Sequence, residues 1–247
     1  MTSSTPKARA GELEGRLREL GTPERAEQEK RYLKSDLEFL GATVWQIRAA
    51  VKAYLTELGD LQHDELVALV EELWSEPIHE RRMAATVILE MRSGQLSAAD
   101  LPLLERLIRE SLTWALVDGL AGDVVGDVLA ADEDGTRPTL DRWASDVDFW
   151  VRRSALLAWL RPLRHGAPLD RFLGYADAML DEPEFFIRKA IGWVLREVGK
   201  RRPDDVTAWL GPRTDRASGV TMREATKYLP AADRDRLMRA YREKRTA

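Results

Sequence analysis

Apolar residues along this 247-residue chain recur three and four positions apart in short blocks and never in the strict alternation of a half-buried strand, so the pattern predicts helix throughout. The blocks repeat. WQIRAAVKAYL around Arg48, HERRMAATVIL around Arg81, FWVRRSALLAWL around Arg152, FFIRKAIGWVL around Arg188 and TMREATKYL around Arg223 share one register. The intervals are 33 residues from 48 to 81, 36 from 152 to 188 and 35 from 188 to 223, while the 71 from 81 to 152 is two periods. The missing member falls on LTWALVDGLAG, where Val117 takes the first basic slot and Asp118 the second, the slot of Arg82, Arg153 and Lys189 elsewhere. Such a period predicts an all-α solenoid of about six helix pairs, each burying its apolar face on its neighbours and lining up equivalent positions on one surface.

Punctuation places the elements. Residues 1–10 are expected to be a disordered tail, and residues 11–247 a single repeat domain. GELEGRLRELG is a short helix closed by Gly21, and Thr22-Pro23 caps the next, which the pattern extends through Tyr32, Leu33, Leu37 and Leu40 to Gly41. Thr43 starts a helix ending near Gly59, Asp64 caps one that stops at Pro77, and Ser97 with Asp100 forms a capping box. SLTWALVDGLAGDVVGDVLA is an inner helix with Gly119, Gly122 and Gly126 at positions where each costs about 1 kcal/mol of propensity; close approach of another backbone would explain them. ADEDGTRPT reads as a loop before a helix around Leu140 to Trp143, and Ser145 or Asp146 opens the following helix. A polar helix from Asp233 to about Lys244 suits a terminal cap.

Composition narrows the function classes. The absence of cysteine excludes disulfides, thiolate metal sites and cysteine nucleophiles, and is natural in a reducing cytoplasm. His63, His79 and His165 are scattered without ligand spacing, so no metal is expected. No GxSxG, P-loop, Rossmann or kinase fingerprint occurs, no apolar run could cross a bilayer, and the start lacks a secretory h-region. The net charge of -4 hides an asymmetry: residues 1–150 hold 17 Lys+Arg against 29 Asp+Glu (-12), and residues 151–247 hold 21 against 13 (+8). Local basic surface, not the overall sum, supplies affinity for a polyanion.

Arg82, Arg153 and Lys189 on neighbouring rungs suit the phosphates of an extended backbone, and Lys200, Arg201 and Arg202 would add charge. The alternative for Arg48, Arg81, Arg152 and Arg188 is a ladder of inter-repeat salt bridges. Asp118 stands alone among bases. A carboxylate beside a polyanion is unfavourable unless it faces something cationic, such as the oxocarbenium of a breaking N-glycosidic bond, or orients a water; its alternative is a ladder partner for Arg153. Trp114 lies four residues before Asp118 and Trp193 four after Lys189, so each shares its partner's helix face and could pack on a sugar or a base. Trp74, Trp143, Trp159 and Trp209 are assigned to the core.

With RYLKSDLEFLG, SLTWALVD, DFWVRRSALLAWL and EFFIRKAIGWVLRE in place, nearly the whole chain resembles the AlkD-like DNA glycosylases of alkylation repair. The resemblance implies a right-handed solenoid of HEAT-like repeats with a concave basic face. It implies excision of 3-methyladenine and 7-methylguanine from duplex DNA without metal or cofactor, by a cytoplasmic protein acting as a monomer. By position, Asp118 matches the catalytic acid, Trp114 and Trp193 the tryptophans along the lesion strand, Arg153 the active-site arginine, which would hold a phosphate or orient Asp118, and Tyr32 an N-terminal tyrosine. Arg82, Arg152, Arg188, Lys189, Lys200, Arg201 and Arg202 are then DNA-binding candidates. No lysine stands out as a Schiff-base nucleophile, so no lyase activity is expected. The family pattern is roughly SWWDTVD, and here Thr113 and Ala115 replace its other Trp and acid. A protein-binding helical scaffold and a DNA-structure binder without excision are the alternatives.

Overall fold

A computed structural model describes residues 5–246, which form helices joined by short turns, with one isolated bridge between Glu38 and Ile78 and no strand among the described residues. The chain divides into two compact units, one ending at Val128 and one beginning at Leu129.

The first unit opens with α1 (Pro6–Leu20). The Thr5 hydroxyl accepts the Ala8 amide at 3.3 Å and Pro6 takes the first helical position, so the helix starts inside the expected tail. Residues 1–4 lie outside the described residues. Thr22 and Pro23 start α2 (Pro23–Leu33) as their pairing predicts. That helix stops at Lys34, in the left-handed region at φ 50°, not at Gly41. The reason is tertiary: the fully buried Glu80 carboxylate accepts the amides of Leu40 at 2.9 Å and Gly41 at 2.6 Å, and Glu38 pairs with the backbone ahead of α5. Glu80→Gln is expected to cost about 1–3 kcal/mol, because one of those amides then faces an NH₂ group; a urea unfolding midpoint unchanged from the native protein's would count against it.

Next come α3 (Val44–Leu58), opened by a Thr43–Gln46 capping box, and α4 (His63–Trp74), whose cap is Gln62 with Asp64 in the first turn. They are followed by α5 (His79–Met91) and α6 (Leu101–Arg109), the latter entered through the expected Ser97–Asp100 capping box. α5 is buried along nearly its whole length and packs on α3, α4 and α7 (Trp114–Gly119). α7 passes through a π turn, Leu120–Val125, into α8 (Gly126–Ala131). The Gly119 position explains part of this: a Cβ there would lie 2.9 Å from the Thr86 methyl of α5, a side chain and not the backbone expected from the sequence. Thr86 cannot easily rotate away, since its hydroxyl donates to the Arg82 carbonyl at 2.9 Å. Gly119→Ala is therefore expected to destabilise the protein by about 1–3 kcal/mol despite alanine's better propensity. Adding Thr86→Ser, which removes the methyl, should restore stability in thermal unfolding; if it does not, the contact is not the cause.

In the second unit, α9 (Glu133–Trp143) begins earlier than the apparent loop allows, because Asp132 caps the Gly135 amide at 2.9 Å with Glu133 and Asp134 in the first turn. Asp148, not Ser145 or Asp146, caps α10 (Phe149–Leu157). There follow α11 (Leu160–Arg164), α12 (Asp170–Ala178), α13 (Phe185–Gly199), α14 (Pro203–Leu210), α15 (Gly219–Ala225) and α16 (Ala231–Thr246). α13 is the spine of this unit and packs on α10, α11, α14 and α15. Gly192 lets α15 close on it, since a Cβ there would come within 2.7 Å of Glu224 Cβ. Trp74, Trp143, Trp159 and Trp209 are buried, as assigned. Each contributes about 1.5–3 kcal/mol or more of apolar burial.

Candidate functional site

The distinctive helix is built from its cap. Leu112 sits at φ 55° and turns the chain, after which the buried Thr113 hydroxyl accepts the Ala115 amide at 3.4 Å and starts α7. Thr113, a departure from the family pattern at the sequence level, is thus the N-cap. Trp114 is the first helical residue, and its half-buried indole meets the Tyr32 ring edge-on, centroids 5.8 Å apart at 85°. Tyr32, near the end of α2, is 70% exposed and not a core residue. Asp118 is half-buried one turn after Trp114, on the same helix face. The first unit therefore brings together three residues chosen from the sequence.

Beside them lies a cleft of about 330 Å³. Leu33, Val44, Met83 and Val87 give it apolar walls, Ala115 leaves room where the family pattern has an acid, and Tyr32 and Trp114 border it. Arg48 and Glu90 also line it, joined by two hydrogen bonds of 3.0 and 2.6 Å. His79, stacked on Phe39 at 4.8 Å, contributes a buried imidazole whose nitrogens have no partner among the described residues. Burial, and then the Arg82 charge, push its pKa down to about 4, so the ring is neutral at pH 7.

Most of the sequence-predicted cations turn inward. Arg81 donates to Glu14 at 2.6 Å and to the carbonyls of Leu73 and Glu72. Arg152 grips Glu182 at 2.9 and 2.8 Å and the Asp146 carbonyl at 2.6 Å, and Arg188 donates to the Glu182 carbonyl at 2.6 Å. The ladder reading of salt bridges between repeats therefore describes Arg48, Arg81 and Arg152, whereas Arg188 turns to a carbonyl six residues earlier, and neither Arg152 nor Arg188 is an open phosphate contact. Arg82 is buried as well. Its guanidinium lies 5.2 Å from the Trp74 ring centre and donates to the Glu110 carbonyl at 2.5 Å, satisfying the C-terminal end of α6, and burial holds its pKa below the usual value.

On the second unit Arg153 repeats that arrangement: it is 1% exposed, donates to the Phe186 carbonyl at 2.5 Å and lies over the Phe186 ring. Trp193 is half-buried on α13. Lys200 pairs with Glu197 at 2.8 Å and lies over Tyr228, while Arg202 pairs with Asp205 at 2.7 Å and donates to the Ala167 carbonyl. Lys189 and Arg201 are exposed, and their side chains make no hydrogen bond or ion pair among the described residues. Sequence reasoning missed the cleft and the roles of His79, Met83 and Glu90, although the three share α5 at spacings of four and seven residues that put them on one helix face. The π turn had a signal in Gly119, Gly122 and Gly126.

No helix among the described residues is long and apolar enough to cross a membrane. No curated protein matches the chain at a significant level. Among solved structures, it is similar to one described as a predicted DNA alkylation repair enzyme of Enterococcus faecalis, with a TM-score of 0.78 and 24% identity over 85% of this chain and 97% of that one. AlkD2 of Streptococcus mutans gives 0.66 and 14% over 92% and 100%, and smu.31 of Streptococcus mutans UA159 gives 0.58 and 15% over 76% and 98%. These likenesses establish a shared all-α repeat fold. The family model of the DNA alkylation repair enzyme matches residues 13–229, most of the chain, and the protein belongs to that family.

Proposed function

We propose that the protein is a monofunctional DNA glycosylase that hydrolyses the N-glycosidic bond of cationic N-alkylated purines, 3-methyladenine and 7-methylguanine, in duplex DNA. The observation that carries this reading is α7: an acid one turn from an indole that packs on an exposed tyrosine, in the repeat slot that otherwise holds a base. Alkylation places a positive charge on the purine, so the C1′–N bond breaks with both electrons going to a base that departs neutral. The sugar becomes an oxocarbenium ion. The Asp118 carboxylate stabilises that cation and orients a water, whose oxygen bonds to C1′ and whose proton is released, leaving an abasic site and a free purine. Trp114 and Tyr32 offer flat apolar surface to the deoxyribose backbone, whereas Arg153, 1% exposed and donating to the Phe186 carbonyl, is a buried strut like Arg82. No metal or cofactor takes part in these steps, and no lysine nucleophile is needed.

Duplex DNA is the partner, with Lys189 and Arg201 as its free cations. Affinity should fall steeply with salt, because each neutralised phosphate releases counterions. Lys189→Glu should weaken binding of all sequences and lower the salt slope by about 1. The test of the reading is incubation with methylated duplex followed by detection of alkali-labile abasic sites; strong salt-dependent binding without abasic sites would favour a DNA-structure binder, and no binding a protein scaffold.

A further inference from the structure

Seven of the eight tryptophans are buried or half-buried, and Trp45 is 83% exposed. It is the second residue of α3. An indole left in water forfeits the burial that makes tryptophan a core residue elsewhere in this chain. Val44, one residue earlier, and Arg48, three residues later, both line the cleft that Tyr32 and Trp114 border, so Trp45 stands at the α3 rim of that cleft. Farther along the solvent face of α3, Ala49 is exposed and small. The exposed Lys52 lies two turns from Trp45, its side chain in no hydrogen bond or ion pair among the described residues. The sole acid of α3, Glu57, is taken up by Arg16 at 2.9 and 2.5 Å. Within an acidic half of the chain, α3 therefore offers a polyanion an indole and a free ammonium, with no open carboxylate of its own.

We propose that Trp45 is a further DNA-binding residue, whose indole packs on the sugar-phosphate backbone of the duplex beside the candidate site while Lys52 neutralises a phosphate of the same duplex. The inference rests on duplex DNA being the partner. A flat ring packs on deoxyribose whatever the sequence, so the contact fixes position without reading bases. It needs no base to leave the stack, since the ring meets the outside of the duplex. A protein partner would need an apolar centre of many residues, whereas the indole's neighbours along its helix face are Ala49 and Lys52. Continuity with Tyr32 and Trp114, together with the free ammonium, favours the nucleic acid.

Fluorescence-anisotropy titration of a labelled duplex carrying 7-methylguanine with the full-length protein, at several salt concentrations, tests the inference. Trp45→Ala should weaken binding about 5- to 20-fold at each of them. The salt slope should stay at the native value, because an apolar contact releases no counterions. Trp45→Phe should recover most of the loss, and Lys52→Ala should instead lower the slope by about 1. Since the indole is mostly in solvent, Trp45→Ala should keep the native circular dichroism and Tm. Native affinity in Trp45→Ala overturns the contact and leaves the glycosylase reading standing. A loss that follows a fall in Tm and that Trp45→Phe does not recover overturns it also. Should the native protein bind no duplex, the contact falls together with the reading on which it rests. A loss in Trp45→Ala from a native protein that binds DNA but forms no abasic sites supports the contact, and the glycosylase reading then falls by itself.

Discussion

Asp118→Asn lowers the rate of base release from methylated duplex DNA by about 10²–10³-fold, the usual loss when one preorganised electrostatic stabiliser is removed from a developing charge. Asparagine has nearly the same shape and keeps an acceptor oxygen, so the half-buried site after Trp114 is still filled and α7 keeps its Thr113 cap. What is lost is the negative charge, which acts only when the sugar becomes cationic. The loss should therefore appear in the single-turnover rate and not in the affinity for DNA. Affinity should rise slightly, because a carboxylate no longer faces the phosphates. Equal rates for native and variant protein would remove Asp118 from the chemistry, and a parallel fall in thermal stability would show a structural role instead.

The second large effect is on stability. Arg82→Ala should destabilise the protein by about 2–4 kcal/mol, since it leaves the Glu110 carbonyl without its donor and opens a cavity beside Trp74. For a chain of this size that corresponds to a fall of roughly 5–15 °C in Tm. DNA affinity at equal folded concentration, and its salt slope, should stay at the native values. That pairing separates a buried strut from a phosphate contact: a variant of native stability that binds DNA less well would restore Arg82 to the DNA-binding surface.

Arg82 also shows where the sequence ceases to be informative. The period that aligns Arg82, Asp118, Arg153 and Lys189 is a property of the chain and carried the repeat architecture, with the caps at Thr22, Thr43 and Ser97. The period cannot tell a guanidinium that faces solvent from one whose acceptor is a carbonyl about 30 residues on, as for Arg82 on Glu110 and Arg153 on Phe186. Both occupy the same slot as the exposed Lys189. Helix ends failed where tertiary contacts override local preference. α2 stops at Lys34 because Glu80 captures the following loop, and α9 starts at Glu133 because one aspartate cap outweighs a glycine and a proline. At the candidate site, Trp114 and Asp118 were legible through their four-residue spacing. The cleft beside them was not, since it depends on how four helices meet.

The central claim is that α7 places a carboxylate for glycosidic cleavage, and it is met most directly by the identity of what leaves the DNA. Duplex carrying 3-methyladenine and 7-methylguanine is treated with excess native protein or Asp118→Asn, and the soluble fraction is analysed by mass spectrometry. The account predicts free methylated purine from the native protein in amounts equal to the abasic sites formed, with the variant slower by orders of magnitude. Methylated bases retained in DNA that the native protein binds would contradict it.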